Sequence, residues 1–297
     1  MRCRWTSASP TSRATITCHC SLRRGRTRPT VAAEARVLVT VSRTSGSVPR
    51  EVGAWMAVTG AGITGTVGGG HLEFDAIARA RAALDGGMLE EEVRYPLGPG
   101  LGQCCGGVVW LRFESIAAGE ELQTRLPVEP LRPLAVFGAG HVGRAVARIT
   151  RDLPLALHWI DSREDQFPDE PPAPNWCLEA VDPIADAVPE LASGSAVLIM
   201  SYSHAEDFNL VAACLKRQRE RNDLAFLGLI GSRSKWASFR HRLAARGYGE
   251  ADLTRVVCPI GVAGVAGKQP AVIAVAVLAQ ILALPAASAA SAASVSR

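Results

Sequence analysis

The chain has 297 residues, 48% of them hydrophobic, 20% charged and 5% aromatic, with a formal net charge of +4. This length accommodates two ordinary domains with a sizeable core, and so few aromatics argue against a stacking platform for single-stranded nucleic acid. The positive charge is confined to residues 1–30, which hold seven arginines and no acidic residue; the remainder carries about −3 and lacks the basic footprint of a nucleic-acid binder.

Residues 1–30 are rich in Arg, Ser, Thr and Cys and show no apolar periodicity. They read as a disordered, dispensable or wrongly translated segment, with a mitochondrial transit peptide as the alternative. From Ala35 to Val41 a β-branched run predicts a strand, Ser45 to Arg50 a turn, and Trp55 to Val58 a second strand. A glycine loop at Gly65–Gly70 leads into a helix over His71–Leu84. A strand is expected at Glu91–Tyr95, then a loop bearing Cys104 and Cys105, then a strand over Val108–Glu114. Residues 31–114 therefore form a smaller N-terminal α+β domain, and 115–133, with more Glu, Pro, Gly and Gln, a linker.

From Leu134 the pattern alternates strand and helix. Strands are predicted at Leu134–Phe137, Leu155–Ile160, Trp176–Leu178, Ala196–Ile199 and Phe226–Leu229. Helices are predicted at Val142–Thr150, Ile184–Leu191, Asp207–Arg219, Ser234–Arg246 and Pro270–Leu284. Such alternation implies an α/β Rossmann-like domain, residues 134–285, built on a doubly wound parallel sheet. The apolar stretch Ala271–Leu284 is too short to span a membrane and is interrupted by Gln280; it reads as a helix packed on both sides. Residues 286–297 form an Ala/Ser tail. Cys3, Cys18 and Cys20 lie in the basic segment; Cys104, Cys105, Cys177, Cys214 and Cys258 are scattered. That is no disulfide framework, and a reducing, cytoplasmic compartment is expected.

Four constellations can carry chemistry. Adjacent cysteines rarely bridge each other, so Cys104 and Cys105, flanked by glycines, suit a soft metal, a sulfur-bearing ligand or thiol chemistry; a small-residue turn with half-buried thiols is the alternative. Gly138, Gly140 and Gly143 form the G-x-G-x-x-G fingerprint between a strand and a helix, and Asp161 ends the next strand, 18 residues past Gly143. This pattern predicts a phosphate or nucleotide site, with Asp161 on a sugar hydroxyl. Gly68, Gly69 and Gly70 open a helix whose N-terminus favours an anion, and His71 and Glu73 either contact that ligand or merely serve the helix end. Ser232, Arg233 and Lys235 offer a second anion-binding mouth, with His204 and Lys268 on the same rim; a Ser N-cap and solvated bases are the alternative.

GSVPRE, GTVGGGHLE, LGQCCGG, FGAGHVG, a histidine followed closely by Asp, GLIGSRSK and CPIGV with GKQP occur in the order seen in the XdhC/CoxI family, the xanthine dehydrogenase accessory proteins. The chain resembles that family over about Ala35–Leu284. It departs in its first thirty residues and at Val272 and Ala276, where the family tends to have Glu and Ser. The resemblance implies a maturation factor, not a metabolic enzyme. Such a factor binds the molybdenum cofactor (molybdopterin), protects it during sulfuration with a cysteine desulfurase as sulfur donor, and delivers it to a xanthine dehydrogenase-type hydroxylase. On that basis Cys104 and Cys105 would hold the metal end. Glycine loops would hold the phosphate, with NAD(P) or another nucleotide as the alternative occupant of the Rossmann turn. Neither nucleic acid nor membrane is an expected partner, and a homodimer is compatible. The competing function is an NAD-dependent oxidoreductase, which needs a proton donor beside the nicotinamide that no residue pattern supplies.

Overall fold

The computed structural model describes residues 34–98, 106–122, 125–126 and 131–285. The chain divides between Val128 and Glu129 into two compact units.

The N-terminal unit is an antiparallel sheet with one helix. Its strands are β1 (Arg36–Ser45), β2 (Trp55–Thr59), β3 (Ile63–Gly65), β4 (Glu92–Pro96) and β5 (Val108–Ile116), in the order β3-β2-β1-β5-β4. Helix α1 (Gly70–Leu84) buries Leu72, Ala76 and Ala80. These join the alternate residues Val37, Val39 and Val41 of β1, with Met56, Val58, Leu111 and Phe113, in one core. Alternate valines on the helix-facing side of β1 and four-residue spacing on α1 are what such a packing requires; Leu38, between the first two valines, is buried as well. β1 runs past the predicted Val41 because its far end pairs with β5 as far as Ser45–Val108, across an irregularity between Val41 and Arg43.

The C-terminal unit has strands β6 (Arg132–Phe137), β7 (Leu155–Asp161), β8 (Trp176–Ala180), β9 (Ala196–Ile199), β10 (Phe226–Leu229) and β11 (Val256–Val257). All pair in parallel in the order β11-β10-β9-β6-β7-β8. β9 and β10 are buried at every residue, as strands covered on both faces must be. Helices α2 (His141–Thr150), α3 (His204–Arg221), α4 (Arg233–Ala244), α5 (Glu250–Leu253) and α6 (Pro270–Leu282) flank the sheet. Residues of α2 and α6 share the core on one face, and residues of α3, α4 and α5 that on the other. Strand order reverses beside β6, which creates the crevice where doubly wound folds place ligands.

One expectation is corrected. Residues 184–190 form a 3-10 segment rather than an α-helix, with Pro189 inside it; proline removes a donor and crowds the preceding turn. Helix α6 is packed on two sides: Ala274, Val277, Leu278 and Ile281 join the core under the sheet, and Ala276 is buried beside Gly261, whose N–H donates to Gln280 Oε1 at 2.8 Å; Val275 stays 55% exposed. Among the described residues no helix is long and apolar enough to cross a membrane.

Candidate functional site

At one end of the N-terminal sheet three segments converge. Gly107 N–H donates to the Ser47 carbonyl at 3.0 Å, and Leu97 N–H to the Gly107 carbonyl at 2.8 Å. A Cβ on Gly68 would stand 2.5 Å from Pro49 Cγ. The turn after β1 thus packs against both the first glycine loop and the root of the cysteine loop. Cys104 and Cys105 themselves lie outside the described residues.

Gly68, Gly69 and Gly70 have φ of 134°, 74° and 63°, which turns the loop's N–H groups inward. Their occupant is the chain's own Glu73. Its Oε2 accepts from Val67 N–H at 3.0 Å, Gly69 N–H at 3.2 Å and the Thr66 hydroxyl. An external anion at these donors must therefore displace Glu73. Burial pushes the Glu73 carboxyl up, but the Thr66 hydroxyl and the loop N–H groups outweigh it and hold the group below its usual range. His71 is exposed beside this loop.

The sign of the Glu73 effect is fixed by its lowered pKa. Its contribution is complete above the unfolded-state value, about 4.3, and is lost as pH falls through the folded-state value. Glu73→Ala is expected to cost this unit about 1–2 kcal/mol at pH 7, and less at a pH below the folded-state value, where the wild type has lost the same interaction. Urea unfolding at both pH values, with amide exchange at Val67 and Gly69, measures this; an equal loss at both would assign Glu73 a packing role only.

In the C-terminal unit the fingerprint glycines divide their tasks. A Cβ on Gly138, at φ 123°, would collide with the Met200 carbonyl, and one on Gly143 with the Gly138 carbonyl. Around Gly140, the N-cap of α2, a Cβ would meet nothing within 4 Å. The first and third glycines thus let backbones meet, while the second is open to approach beside the unpaired N–H groups of a helix start. Trp159 Nε1 donates to the Gly138 carbonyl at 3.0 Å and pins the turn.

Asp161 is 1% exposed, and both its oxygens are engaged within the chain. Oδ2 accepts from Ala139 N–H at 2.6 Å, and Oδ1 from Arg163 N–H and Nε, each at 2.9 Å. Burial raises its pKa, but the Arg163 side chain and the two backbone donors more than offset this and keep it ionised. The carboxylate ties the Gly138–Gly143 turn to the end of β7.

The second mouth differs from expectation in its charge. Lys235 folds inward onto Asp207, with side chains 12% and 2% exposed, and its Nζ also donates to the Ile230 carbonyl at 2.8 Å. Asp207 Oδ1 accepts from Ser201 N–H at 2.9 Å and Ser201 Oγ at 2.7 Å. This buried cluster ties the end of β9 to the end of β10 and neutralises the lysine. Ser232 caps α4, accepting from Lys235 N–H at 3.1 Å, and its carbonyl lies 3.9 Å from Cys258 Sγ. Burial pushes the Cys258 thiol up, which disfavours a resting thiolate. His204 is the exposed first residue of α3, its ring edge-on to Phe239. Lys268 is exposed in the loop before α6. The structure therefore gathers Gly138, Gly140, Gly143 and Asp161 in one turn and Ser232 with Asp207 and Lys235 in a neighbouring cluster.

Sequence reasoning passed over Ser162, Arg163, Tyr202 and Glu206. Ser162 Oγ donates to Glu206 Oε1 at 2.9 Å, and the Arg163 guanidinium lies over the Tyr202 ring, 4.2 Å from its centroid. The available signal was the acidic pair Glu206–Asp207 just after a Ser cap, where a helix start favours carboxylates.

Comparison with known proteins agrees with this two-unit organisation. A family model described as the XdhC Rossmann domain matches residues 134–281, and one described as the XdhC and CoxI family matches residues 31–96. The chain is 26% identical over 224 residues to the uncharacterized protein YqeB of Escherichia coli (strain K12). That match covers 73% of this chain and 37% of YqeB, so the chain spans little more than a third of this curated relative. It is also similar to a crystal structure described as a xanthine dehydrogenase (BH1974) from Bacillus halodurans, at 20% identity and a TM-score of 0.65. That likeness covers 84% of this chain and 91% of the other, and it supports the fold. With one matched region in each of the two units, the chain belongs to the XdhC and CoxI family.

Proposed function

We propose that the protein is an accessory factor for a xanthine dehydrogenase-type molybdenum hydroxylase. It binds the molybdenum cofactor, protects it while a cysteine desulfurase supplies sulfur, and inserts it into the client enzyme. Family membership carries this proposal, and the residues fit the phosphate end of such a cofactor. Gly140 leaves backbone donors open at the start of α2, where a phosphate is favoured. Among the described residues no group of three or more His, Cys, Asp or Glu could hold a metal. Cys104 and Cys105 are assigned to the metal end on the chemistry of their thiols. When bound, the cofactor supplies the reactive centre of the client hydroxylase; this chain binds and orients it.

The second candidate is an NAD-dependent oxidoreductase. In its favour, the strands appear across the sheet in the dinucleotide-binding order, third, second, first, fourth, fifth, sixth. Against it, the carboxylate that would take the ribose hydroxyls already accepts from Ala139 and Arg163.

Reconstitution separates the two. Apo hydroxylase, a molybdopterin source and a sulfur donor are expected to give severalfold more active enzyme with this protein than without it. Equal activation in both mixtures would remove the accessory role, and NAD reduction by the protein alone would favour the oxidoreductase. Cys104→Ser and Cys105→Ser are each expected to lower copurifying molybdenum severalfold without shifting the thermal midpoint; molybdenum at the parent level in both variants would show that these thiols do not hold the metal.

A further inference from the structure

β7 and β9 flank β6 in the sheet. Side chains that leave the ends of β7 and β9 to meet each other must cross the end of β6, where the Gly138–Gly143 turn lies. The Ser162–Glu206 hydrogen bond and the Arg163–Tyr202 stack both make that crossing. A ligand seated on the turn would meet the same two contacts.

Glu206 is placed unusually. Ser203 caps α3 and Glu206 is the third residue of the helix, from which a glutamate ordinarily returns to the N-cap N–H. Here it reaches back 44 residues to Ser162 instead. Its second oxygen, Oε2, is buried and has no hydrogen-bond partner. Two other buried side-chain atoms share that condition among the described residues, Arg36 Nε and Trp176 Nε1; one is in the N-terminal unit, and the other begins β8, at the opposite end of the sheet. A buried acceptor without a donor is costly.

We propose that Glu206 is a ligand-contacting, specificity-determining residue of this crevice. Its Oε2 accepts from an N–H or O–H of a phosphate ester seated on the Gly138–Gly143 turn. The Ser162 and Tyr202 contacts keep the carboxylate sequestered until that ligand enters. The inference rests on the phosphate-binding role proposed for the turn. Neighbouring groups define the ligand class. Arg163 is paired with Asp161, and Arg144 donates to the Ala139 and Gln166 carbonyls, so both guanidinium groups are engaged within the chain while Glu206 Oε2 is an acceptor without a donor. Asp161 has no oxygen without a donor. Tyr202 is 64% exposed, so its ring can swing into solvent and open the crossing. The ligand therefore carries one phosphate at the turn and a hydrogen-bond donor at its other end. A ribose hydroxyl pair and the amino–amide edge of a pterin share this chemistry.

Calorimetric titration of the full chain tests the assignment. The probes are adenosine 5′-monophosphate, its 2′,3′-dideoxy analogue, a pterin-6-ylmethyl phosphate and inorganic phosphate. Glu206→Ala is expected to weaken the preferred ester by about tenfold or more while inorganic phosphate changes by less than about twofold. Ser162→Ala removes the hydrogen bond that holds Glu206 Oε1 and frees the carboxylate to turn Oε2 toward the ligand, so it is expected to tighten the ester about threefold. A Glu206→Ala loss seen with adenosine monophosphate but not with its dideoxy analogue assigns the ribose; one confined to the pterin ester assigns the heterocycle. Glu206→Gln keeps the side-chain volume and serves if the alanine variant fails to fold; it is expected to weaken the ester in the same direction. Parallel losses for inorganic phosphate and esters would mark Glu206 as structural and overturn the proposal. Unchanged affinities in both Glu206 variants, or no ester bound by the wild type at millimolar concentration, would overturn it as well. Failure of hydroxylase activation would remove the accessory role while leaving these affinities to stand.

Discussion

Asp207→Ala is expected to be among the most destabilising single changes outside the hydrophobic core. It strands the Lys235 ammonium, whose side chain is 12% exposed, with the Ile230 carbonyl as its remaining acceptor. It also releases both donors of Ser201. Removing one partner of a buried ion pair costs about 3–5 kcal/mol, a large part of the roughly 5–15 kcal/mol that holds a domain folded. Lys235→Met should cost less, because Asp207 keeps the Ser201 N–H and hydroxyl. The double variant Asp207→Asn, Lys235→Met should recover part of the loss, since neither partner then remains charged and alone. Arg240→Ala is the control: its pairing with Glu250 is between side chains 46% and 64% exposed, and it should change stability by less than about 0.5 kcal/mol. The effect should reach the ligand site as well, because a Cβ on Gly138 would face Met200 and Ser201. Urea unfolding of the four variants measures this series. An Asp207→Ala loss no larger than that of Arg240→Ala would show that the cluster does not hold β9 to β10.

The residues explain what the sequence could and could not reveal. β9 and β10 were legible because a strand covered on both faces has to be apolar throughout. Gly138, Gly140 and Gly143 were legible because their spacing is set by a local turn. The Asp207–Lys235 pair was not: its members are 28 positions apart and meet only because β9 and β10 are neighbours, which is a property of strand order. Glu73 was closer to hand, yet its return into the glycine loop depends on three successive positive φ values, which glycine permits and does not dictate. β11, two residues long, carries too little periodicity to be seen. Asp161 does end β7, as its place after the apolar run implies. Its donors, however, come from Ala139 and Arg163, and an acidic residue at this position reads the same in sequence whether it serves a ligand or the turn.

Gly140 and Gly143 should respond in opposite ways, and the contrast separates the fold of the turn from its function. Gly143→Ala places a methyl group against the Gly138 carbonyl and 3.3 Å from Trp159 Nε1. It therefore disturbs the 3.0 Å hydrogen bond that pins the turn. The neighbours are backbone and a buried indole, which cannot step aside cheaply, so a loss of about 2 kcal/mol or more is expected, lowering the midpoint of this unit by several degrees. Gly140 has φ −71° and ψ −168°, a conformation open to any residue, and a Cβ there meets nothing. Gly140→Ala should leave stability within about 0.5 kcal/mol of the parent. Gly140→Val should also fold, but its branched side chain projects beside the first N–H groups of α2, where a phosphate would approach. Its affinity for inorganic phosphate and for phosphate esters should fall by about tenfold or more. Thermal unfolding and titration of the three variants decide the matter. If Gly140→Val binds phosphate as the parent does, the turn serves the fold alone, and the ligand must be sought elsewhere on the chain.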